Sequence, residues 1–257
     1  MSLPEPLLYV VATPIGNLED ITLRALRVLR EVDFIVCEDT RRTAKLLAHF
    51  DIKKPLHSYF APREKEKAEA IIGRLKRGQK AALVTDAGTP LISDPGTLLI
   101  RRCIEEGIEV RPVPGPSALT AAVSVSALPK EQIHFIGFPG KKGLENFLIS
   151  LSILRGSLVF FERAERVKKF LAAALEILGN RRVEIHREIT KVYEEVLRGR
   201  ISDFIHWEGK GEVVIVMEGN EDPRDAISST GLERFLRAIG LKKKMIKNLK
   251  KDLTKMD

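Results

Sequence analysis

The sequence has few of the residues that mark several large protein classes. Its two cysteines, Cys37 and Cys103, stand in apolar segments without metal-ligand spacing, so we expect buried thiols in a reducing compartment. No apolar run approaches the roughly 20 residues that a membrane span needs. The N-terminus lacks the basic segment that precedes the apolar stretch of a signal peptide. These absences predict a cytoplasmic protein without a membrane partner.

Two glycine motifs that bind nucleotide phosphates are also absent. Residues 13–17, which follow the first predicted strand, contain the single glycine Gly16, where a dinucleotide-binding unit has Gly-x-Gly-x-x-Gly. The P-loop pattern Gly-x-x-x-x-Gly-Lys-Ser/Thr does not occur in the sequence. The hypotheses that the protein binds a nicotinamide, flavin or P-loop nucleotide therefore lose their main support. The five histidines are scattered without metal-ligand spacing, so we expect no metal site.

Positive charge is in excess. Lysine and arginine number 43 against 35 aspartates and glutamates, which gives a net charge of +8 and favours polyanionic partners. Seven lysines fall within residues 241–257, where apolar residues recur at helical spacing. This tail suits contact with phosphate backbones, although a solvated helix face explains it equally well.

Strands and helices alternate along the first half of the chain. The pattern predicts strands at residues 7–12, 33–37, 56–59, 81–85 and 109–113, with helices between them and a small-residue helix at 118–128. Strict alternation indicates a parallel α/β sheet. After Pro129 the pattern restarts with shorter turns, which favours a mixed sheet. We therefore expect an α/β protein with domains at 1–129 and 130–220 and a helical basic tail at 221–257.

Two loops have the composition of a binding site. Residues 85–96 follow a buried strand and read TDAGTPLISDPG, at the position where open α/β sheets bind their ligands. Glycine permits close approach and proline fixes φ, so this loop is shaped, although a rigid connection would also need such residues. Residues 114–118, PGPSA, form a second tight turn that could also be an ordinary helix start.

Charged residues cluster in two further segments. Residues 38–42 place two carboxylates and two guanidiniums at a predicted strand end, and residues 187–191 interrupt an apolar strand pattern with charges. Arginine and lysine suit phosphate contacts, whereas a carboxylate suits proton removal. A capped helix start would explain the first segment equally well, and a polar hairpin turn the second.

These segments resemble, in the same order, motifs of the ribosomal RNA small subunit methyltransferase I family, a tetrapyrrole-methylase-like class of S-adenosylmethionine enzymes. The similar segments are residues 12–22, 38–41, 85–96 and 187–191 followed by 210–219. The resemblance covers residues 7–219 and implies two α/β domains of the tetrapyrrole methylase type with a cofactor cleft between them. It further implies a homodimer that methylates the ribose 2′-hydroxyl of a cytidine in the decoding region of 16S rRNA.

The resemblance also implies roles for particular residues. The residues expected to contact S-adenosylmethionine are Ile15, Gly88, Thr89, Ile92, Gly115, Ser117, Ala118 and Phe161. Those expected to bind the RNA, as free rRNA or as the 30S subunit, are Arg41, Arg42 and Arg187. The candidate catalytic groups are Asp39, Glu188 and Lys191, without a choice among them.

Two other functions stay open at the level of the sequence. A methylase of a tetrapyrrole or diphthamide-type substrate on the same fold would have a first loop richer in glycine and would not need a basic tail. An RNA-binding assembly factor without catalysis would not need both cofactor loops. Both therefore fit the sequence less well than an RNA methyltransferase does.

Overall fold

The computed structural model describes residues 8–59, 64–140, 142–221 and Met245. Its contacts form two compact units that meet in sequence between Ala121 and Ala122. The domain limits that the sequence suggests stay a prediction. The expected helical tail at 221–257 lies outside the described residues, apart from its first residue and Met245.

The first unit is built on a five-stranded sheet. Its strands are β1 (Leu8–Val11), β2 (Phe34–Cys37), β3 (Leu56–Ser58), β4 (Ala81–Leu83) and β5 (Val110–Val113). They lie in the order β3-β2-β4-β1-β5, and all neighbouring pairs are parallel. The parallel α/β sheet predicted from the alternation of strands and helices is therefore confirmed.

Helices cover both faces of this sheet. They are α1 (Leu23–Glu31), α2 (Thr40–His49), α3 (Glu64–Leu75) and α4 (Thr97–Glu105). On one face α1 and α2 bury Val28, Leu29 and Leu47, and on the other α3 and α4 bury Leu75 and Leu99. Successive side chains of a strand point to opposite faces, so β1, β2, β4 and β5 each contribute to both cores.

The order of the strands creates a switch point between β1 and β4. From β1 the chain continues through α1 to β2, whereas from β4 it continues through α4 to β5 on the other side. The two connecting helices therefore lie on opposite faces, and the loops that follow these neighbouring strands diverge. Open α/β sheets bind ligands at such a point, outside the carboxyl ends of the strands.

The second unit contains a mixed sheet. Its strands are β6 (Ile133–Gly137), β7 (Ser157–Arg163), β8 (Arg182–Arg187), β9 (Glu195–Arg200) and β10 (Glu212–Glu218). The order is β6-β7-β10-β8-β9, with a parallel pair β6–β7 and antiparallel pairs elsewhere, as the short turns predicted.

The helices of this unit are α6 (Leu144–Leu151), α7 (Ala164–Leu178) and the single turn α8 (Ile201–Phe204). The apolar face of α7 packs on the sheet, where the rings of Phe160 and Phe170 lie 4.9 Å apart. Of the helices that the structure describes, none combines the length and apolar character that crossing a bilayer requires.

The small-residue helix α5 is shorter than its sequence predicts. It spans Ala118–Ser124, whereas the expected helix continued to residue 128. Beyond its end, side-chain oxygens instead of helix carbonyls accept from the main chain. The Ala127 N–H donates to Glu184 Oε1 (2.9 Å), and the Leu128 N–H donates to Ser126 Oγ (3.1 Å). Pro129 follows directly and disfavours helical backbone in the residue before it.

Candidate functional site

A backbone bridge joins the loops that follow β1 and β4. The Thr13 N–H donates to Gly88 O (2.9 Å), and the Gly88 N–H donates to Thr13 O (3.0 Å). The buried Thr13 hydroxyl donates to Thr85 O at 3.0 Å. The first loop is therefore fixed to residues 85–96 at the switch point, although the two segments are more than 70 residues apart in sequence.

The loop that follows β5 contacts the same two loops. The Thr89 hydroxyl donates to Pro116 O at 3.2 Å. A Cβ on Gly88, whose φ is +81°, would lie 3.3 Å from Ile15 Cγ2, and a Cβ on Gly115 would lie 3.1 Å from Ala12 Cβ. Both glycines therefore permit the close approach of the loops. The structure brings Ile15, Gly88, Thr89 and Gly115 together, as expected of a shared site.

The remaining expected cofactor residues of the first unit lie on the same loops. Ser117 and Ala118 are half-buried where the β5 loop enters α5, and Ile92 is 38% exposed. The Ile92 N–H donates to Thr89 O at 3.4 Å, so Ile92 is held next to the tightly packed part of the loop. Their contact with a cofactor stays a prediction.

Left-handed backbone is concentrated in two of the candidate segments. Five described residues other than glycine have a positive φ, and four of them lie in residues 85–96 or 187–191. These four are Leu91 (φ 74°), Ser93 (70°), Glu188 (50°) and Thr190 (66°). Such backbone costs about 1–3 kcal/mol per residue and clusters at ligand sites. Both segments are therefore shaped beyond what a simple connection requires.

The first charged segment lies at the carboxyl end of β2, beside the β4 loop. The Asp39 N–H donates to Asp86 Oδ1 (3.2 Å), and the Arg42 guanidinium pairs with Asp86 Oδ2 (3.3 Å). Asp39 caps α2 by accepting from the Arg41 N–H at 2.8 Å, so the capped helix start is present as well. Hydrogen bonds from Arg41 lower the pKa of the Asp39 carboxyl to about 2.

Glu38 has the opposite electrostatic character and was not singled out by the sequence. Desolvation raises the pKa of its carboxyl, and the negative charges of Asp86 and Asp94 raise it further. The pKa of Asp94 is also raised, chiefly by burial, and the charge of Asp86 adds to the shift. Asp86 and Asp94 are remote in sequence from Glu38, so only the fold reveals this cluster.

The second charged segment forms an ion cluster within the second unit. The Lys191 ammonium lies 2.8 Å from Glu188 Oε1 and 2.9 Å from Glu212 Oε2. Although partial desolvation acts to raise the pKa of Glu188, hydrogen bonds from the Glu212 N–H and Lys191 lower it overall. Desolvation acts to lower the pKa of Lys191, but its two carboxylate partners raise it overall. Both groups therefore stay charged at neutral pH.

Two further expected site residues lie in the second unit. Arg187 pairs with Glu195 across the β8–β9 hairpin at 3.0 Å, so part of its charge is compensated. Phe161 is half-buried, and its ring packs edge-on against Phe135 (4.9 Å) and Phe138 (5.6 Å). Neither position tests the role that the sequence suggests, so both stay predictions.

The described residues contain no group of three or more histidine, cysteine, aspartate or glutamate side chains that could hold a metal ion. Both cysteines are buried and unbridged. Burial raises the pKa of Cys103 to about 11, so its thiol is protonated at neutral pH. A packing role for both cysteines follows from this burial.

Two solved structures have the same fold. The chain is similar to a diphthine synthase (TM-score 0.65, 14% identity, 90% of this chain and 94% of that one). It is also similar to the uroporphyrin-III-C-methyltransferase of Thermus thermophilus (TM-score 0.59, 18% identity, 81% and 93%). At these identities the likeness shows the fold alone.

The sequence comparisons are closer. The profile of the Tetrapyrrole (Corrin/Porphyrin) Methylases matches residues 7–205. Proteins named ribosomal RNA small subunit methyltransferase I are 51% identical in Thermotoga maritima (83% of this chain, 99% of the relative) and 42% in Escherichia coli O157:H7 (88% and 84%). The chain belongs to the tetrapyrrole methylase family and, within it, to the ribosomal RNA small subunit methyltransferase I group. It is a methyltransferase that uses S-adenosylmethionine.

The lining of the first-unit site fits this cofactor. Around the Thr13–Gly88 bridge the side chains are small or absent, so main-chain groups of the turns border the site. Adenosine and the amino acid portion of the cofactor need hydrogen-bond partners at close range, and glycine and small side chains let a ligand approach the main chain of such turns. Ile15 and Ile92 add apolar surface at the margins. We therefore expect this lining to hold the cofactor.

Replacing Thr89 with tyrosine is expected to block cofactor binding. The Thr89 hydroxyl bonds to Pro116 O where two of the loops meet, so a tyrosine ring adds bulk where we expect the cofactor to lie. We expect the Kd for S-adenosylmethionine and for S-adenosylhomocysteine to rise about tenfold or more, equivalent to at least about 1.4 kcal/mol. Titration calorimetry measures both constants. Thr89→Ser is the matched control, because it keeps the hydroxyl and should bind like the wild type. An unchanged Kd in a folded Thr89→Tyr variant would place the cofactor elsewhere.

Proposed function

We propose that this protein transfers a methyl group from S-adenosylmethionine to the ribose 2′-hydroxyl of a cytidine in the decoding region of 16S rRNA. The observation that carries the proposal is the 51% identity to a ribosomal RNA small subunit methyltransferase I over 99% of that relative's length. The substrate is rRNA, presented in the 30S subunit. By the same resemblance the enzyme acts in the cytoplasm as a homodimer.

The methyl donor supplies an activated sulfonium methyl group when it is bound. The protein then has to align the ribose oxygen with that methyl group and accept the hydroxyl proton. As the new carbon–oxygen bond forms and the carbon–sulfur bond breaks, the proton moves from the 2′-hydroxyl to a protein group. Positioning and proton acceptance are thus the tasks left to the side chains of the site.

The catalytic candidates differ in what they offer such a proton. Lys191 stays protonated, so it can orient or neutralise an anionic group but cannot accept a proton. Asp39 and Glu188 stay ionised, but their lowered pKa values make them weak acceptors. Glu38 is an exposed residue at the same sheet edge as Asp39, and because its pKa is raised rather than lowered, it is a stronger proton acceptor than Asp39 or Glu188. We therefore add Glu38 to the proposed catalytic residues and assign positioning roles to Asp39, Glu188 and Lys191.

The arginines are proposed to hold the RNA backbone. Arg41 and Arg42 are 87% and 67% exposed in their side chains, although each also pairs with an aspartate. A guanidinium can hold a carboxylate and a phosphate through different N–H groups, since it has five donors. We propose the same role for Arg187 in the second unit, where the ion pair with Glu195 orients its guanidinium.

Methylation of defined ribosomal subunits tests the proposed function. Small subunits from a strain without the host's own enzyme are incubated with the protein and labelled S-adenosylmethionine, and the rRNA is digested for mass spectrometry. We expect one 2′-O-methylcytidine per subunit in the decoding region, with equimolar S-adenosylhomocysteine. Subunits from the parent strain, which keeps its own enzyme, are the control. Their rRNA is already methylated and should accept no label. A methylated base, or tight subunit binding without turnover, would contradict the proposal and would favour another substrate or an assembly factor.

The proton acceptor is tested by single-turnover kinetics. Glu38 can accept a proton only when it is ionised, and its raised pKa moves that ionisation to higher pH. The wild-type rate should therefore rise with pH and level off once Glu38 is fully ionised. We expect Glu38→Gln to lower the rate about 100-fold at neutral pH and to abolish that plateau. Asp39→Asn is the matched control, because asparagine also caps α2 and should cost less than about tenfold. A hundredfold loss in Asp39→Asn or Glu188→Gln with a normal Glu38→Gln variant would assign the acceptor differently.

A further inference from the structure

The two helix layers of the first unit differ in charge. Together α1 and α2 carry six arginines and lysines against one glutamate, Glu31. On the opposite face of the sheet, α3 carries three acidic and three basic residues, and α4 carries two arginines and one glutamate. The excess positive charge in the described first unit is thus concentrated on the α1–α2 face.

The cationic side chains of this face are exposed and aligned. The six residues, which we call the α1–α2 basic surface, are Arg24, Arg27, Arg30, Arg41, Arg42 and Lys45. On α1 the arginines recur every three residues, about 4.5 Å apart along the axis, which keeps them on one side of the helix. Arg41 and Lys45 lie one turn apart on α2.

Three of the six cations form ion pairs at the surface, Arg27 with Glu31, Arg41 with Asp39 and Arg42 with Asp86, and all three arginine side chains stay largely exposed. Arg24 donates to Pro112 O (3.3 Å) and Arg30 donates to Phe50 O (3.2 Å), so these two arginines bond to neutral carbonyl groups. By contrast, Arg102 on α4 pairs with Glu69 and Glu105. Helices α3 and α4 thus carry five basic and four acidic residues, whereas α1 and α2 carry six basic residues and one acidic residue.

The basic surface is continuous with the candidate site. Both helices begin at the carboxyl edge of the sheet, and the Arg30–Phe50 hydrogen bond joins the end of α1 to the end of α2. At the edge itself, Arg42 pairs with Asp86 of the β4 loop. A polyanion held along α1 and α2 would therefore reach the loops proposed to hold the cofactor.

We propose that the α1–α2 basic surface binds the phosphate backbone of the substrate RNA and delivers it to the site. This inference rests on the proposed rRNA substrate and goes beyond Arg41 and Arg42 to Arg24, Arg27, Arg30 and Lys45. RNA is the ligand that fits this surface, because two rows of cations complement the charge of a regular polyanion. The surface contributes affinity without sequence choice, which belongs to contacts nearer the site.

The test combines three glutamine substitutions on this surface. Arg24→Gln, Arg27→Gln and Lys45→Gln remove charge with little change in helix propensity. The matched control carries Lys65→Gln, Arg77→Gln and Arg101→Gln, which remove the same charge from exposed positions on the other side of the sheet. A second variant, Arg24→Lys with Arg27→Lys, keeps the charge. Binding to a labelled single-stranded RNA is measured against salt concentration.

We expect the triple glutamine variant to lower the salt slope of binding by about two, because each lost phosphate contact on a single strand is worth about 0.7. The KM for small subunits should rise about tenfold, whereas kcat and the Kd for S-adenosylmethionine should not change. The control and the charge-keeping variant should match the wild type.

Equal slopes in the triple variant and the control would overturn the inference. So would a wild-type dimer that the triple variant converts to a monomer in light scattering, since the surface would then be an interface between copies. RNA binding is read without turnover, so a failed methylation assay would count against the proposed function alone. A shifted slope in that case would still support this surface as an RNA-binding face.

Discussion

The paired hydrogen bonds between Thr13 and Gly88 are the constraint on which the site depends. The sheet order makes the loops after β1 and β4 diverge to opposite faces, and this bridge holds their first residues together. Gly88 has to lack a side chain there, because Ile15 occupies the space that a Cβ would need. Thr89 is then placed to bond Pro116 O, which adds the third loop. One short bridge thus aligns the three loops of the first unit.

The bridge also explains where the fold accepts strain. Leu91 and Ser93 adopt left-handed backbone a few residues after the bridge, because the loop has to turn back toward α4. Gly96 makes this turn compatible with packing, since a Cβ there would lie 3.0 Å from Leu91 Cδ2. Strain of this kind is usually offset by a function that needs the shape. In the second unit, Glu188 and Thr190 adopt the same kind of left-handed backbone beside the Lys191 ion cluster.

Much of this architecture could be predicted from the sequence, because buried parallel strands and amphipathic helices leave clear apolar patterns. The loops at 85–96 and 114–118 were visible through glycine and proline. The left-handed Leu91 could not be predicted, since leucine disfavours that backbone and only tertiary packing enforces it. The raised pKa of Glu38 was equally hidden, because Asp86 and Asp94 reach it only through the strand order. The end of α5 depends on Glu184, which is remote in sequence.

Hydrogen–deuterium exchange can show whether the bridged loops of the first unit hold the cofactor. Exchange is followed with and without S-adenosylhomocysteine, which binds without reacting. Amides in residues 13–16, 85–92 and 115–118 should exchange more slowly with the ligand, because binding suppresses local opening of the loops. Amides of α3 should not change. Protection confined to segments outside these three loops would show that the cofactor binds elsewhere.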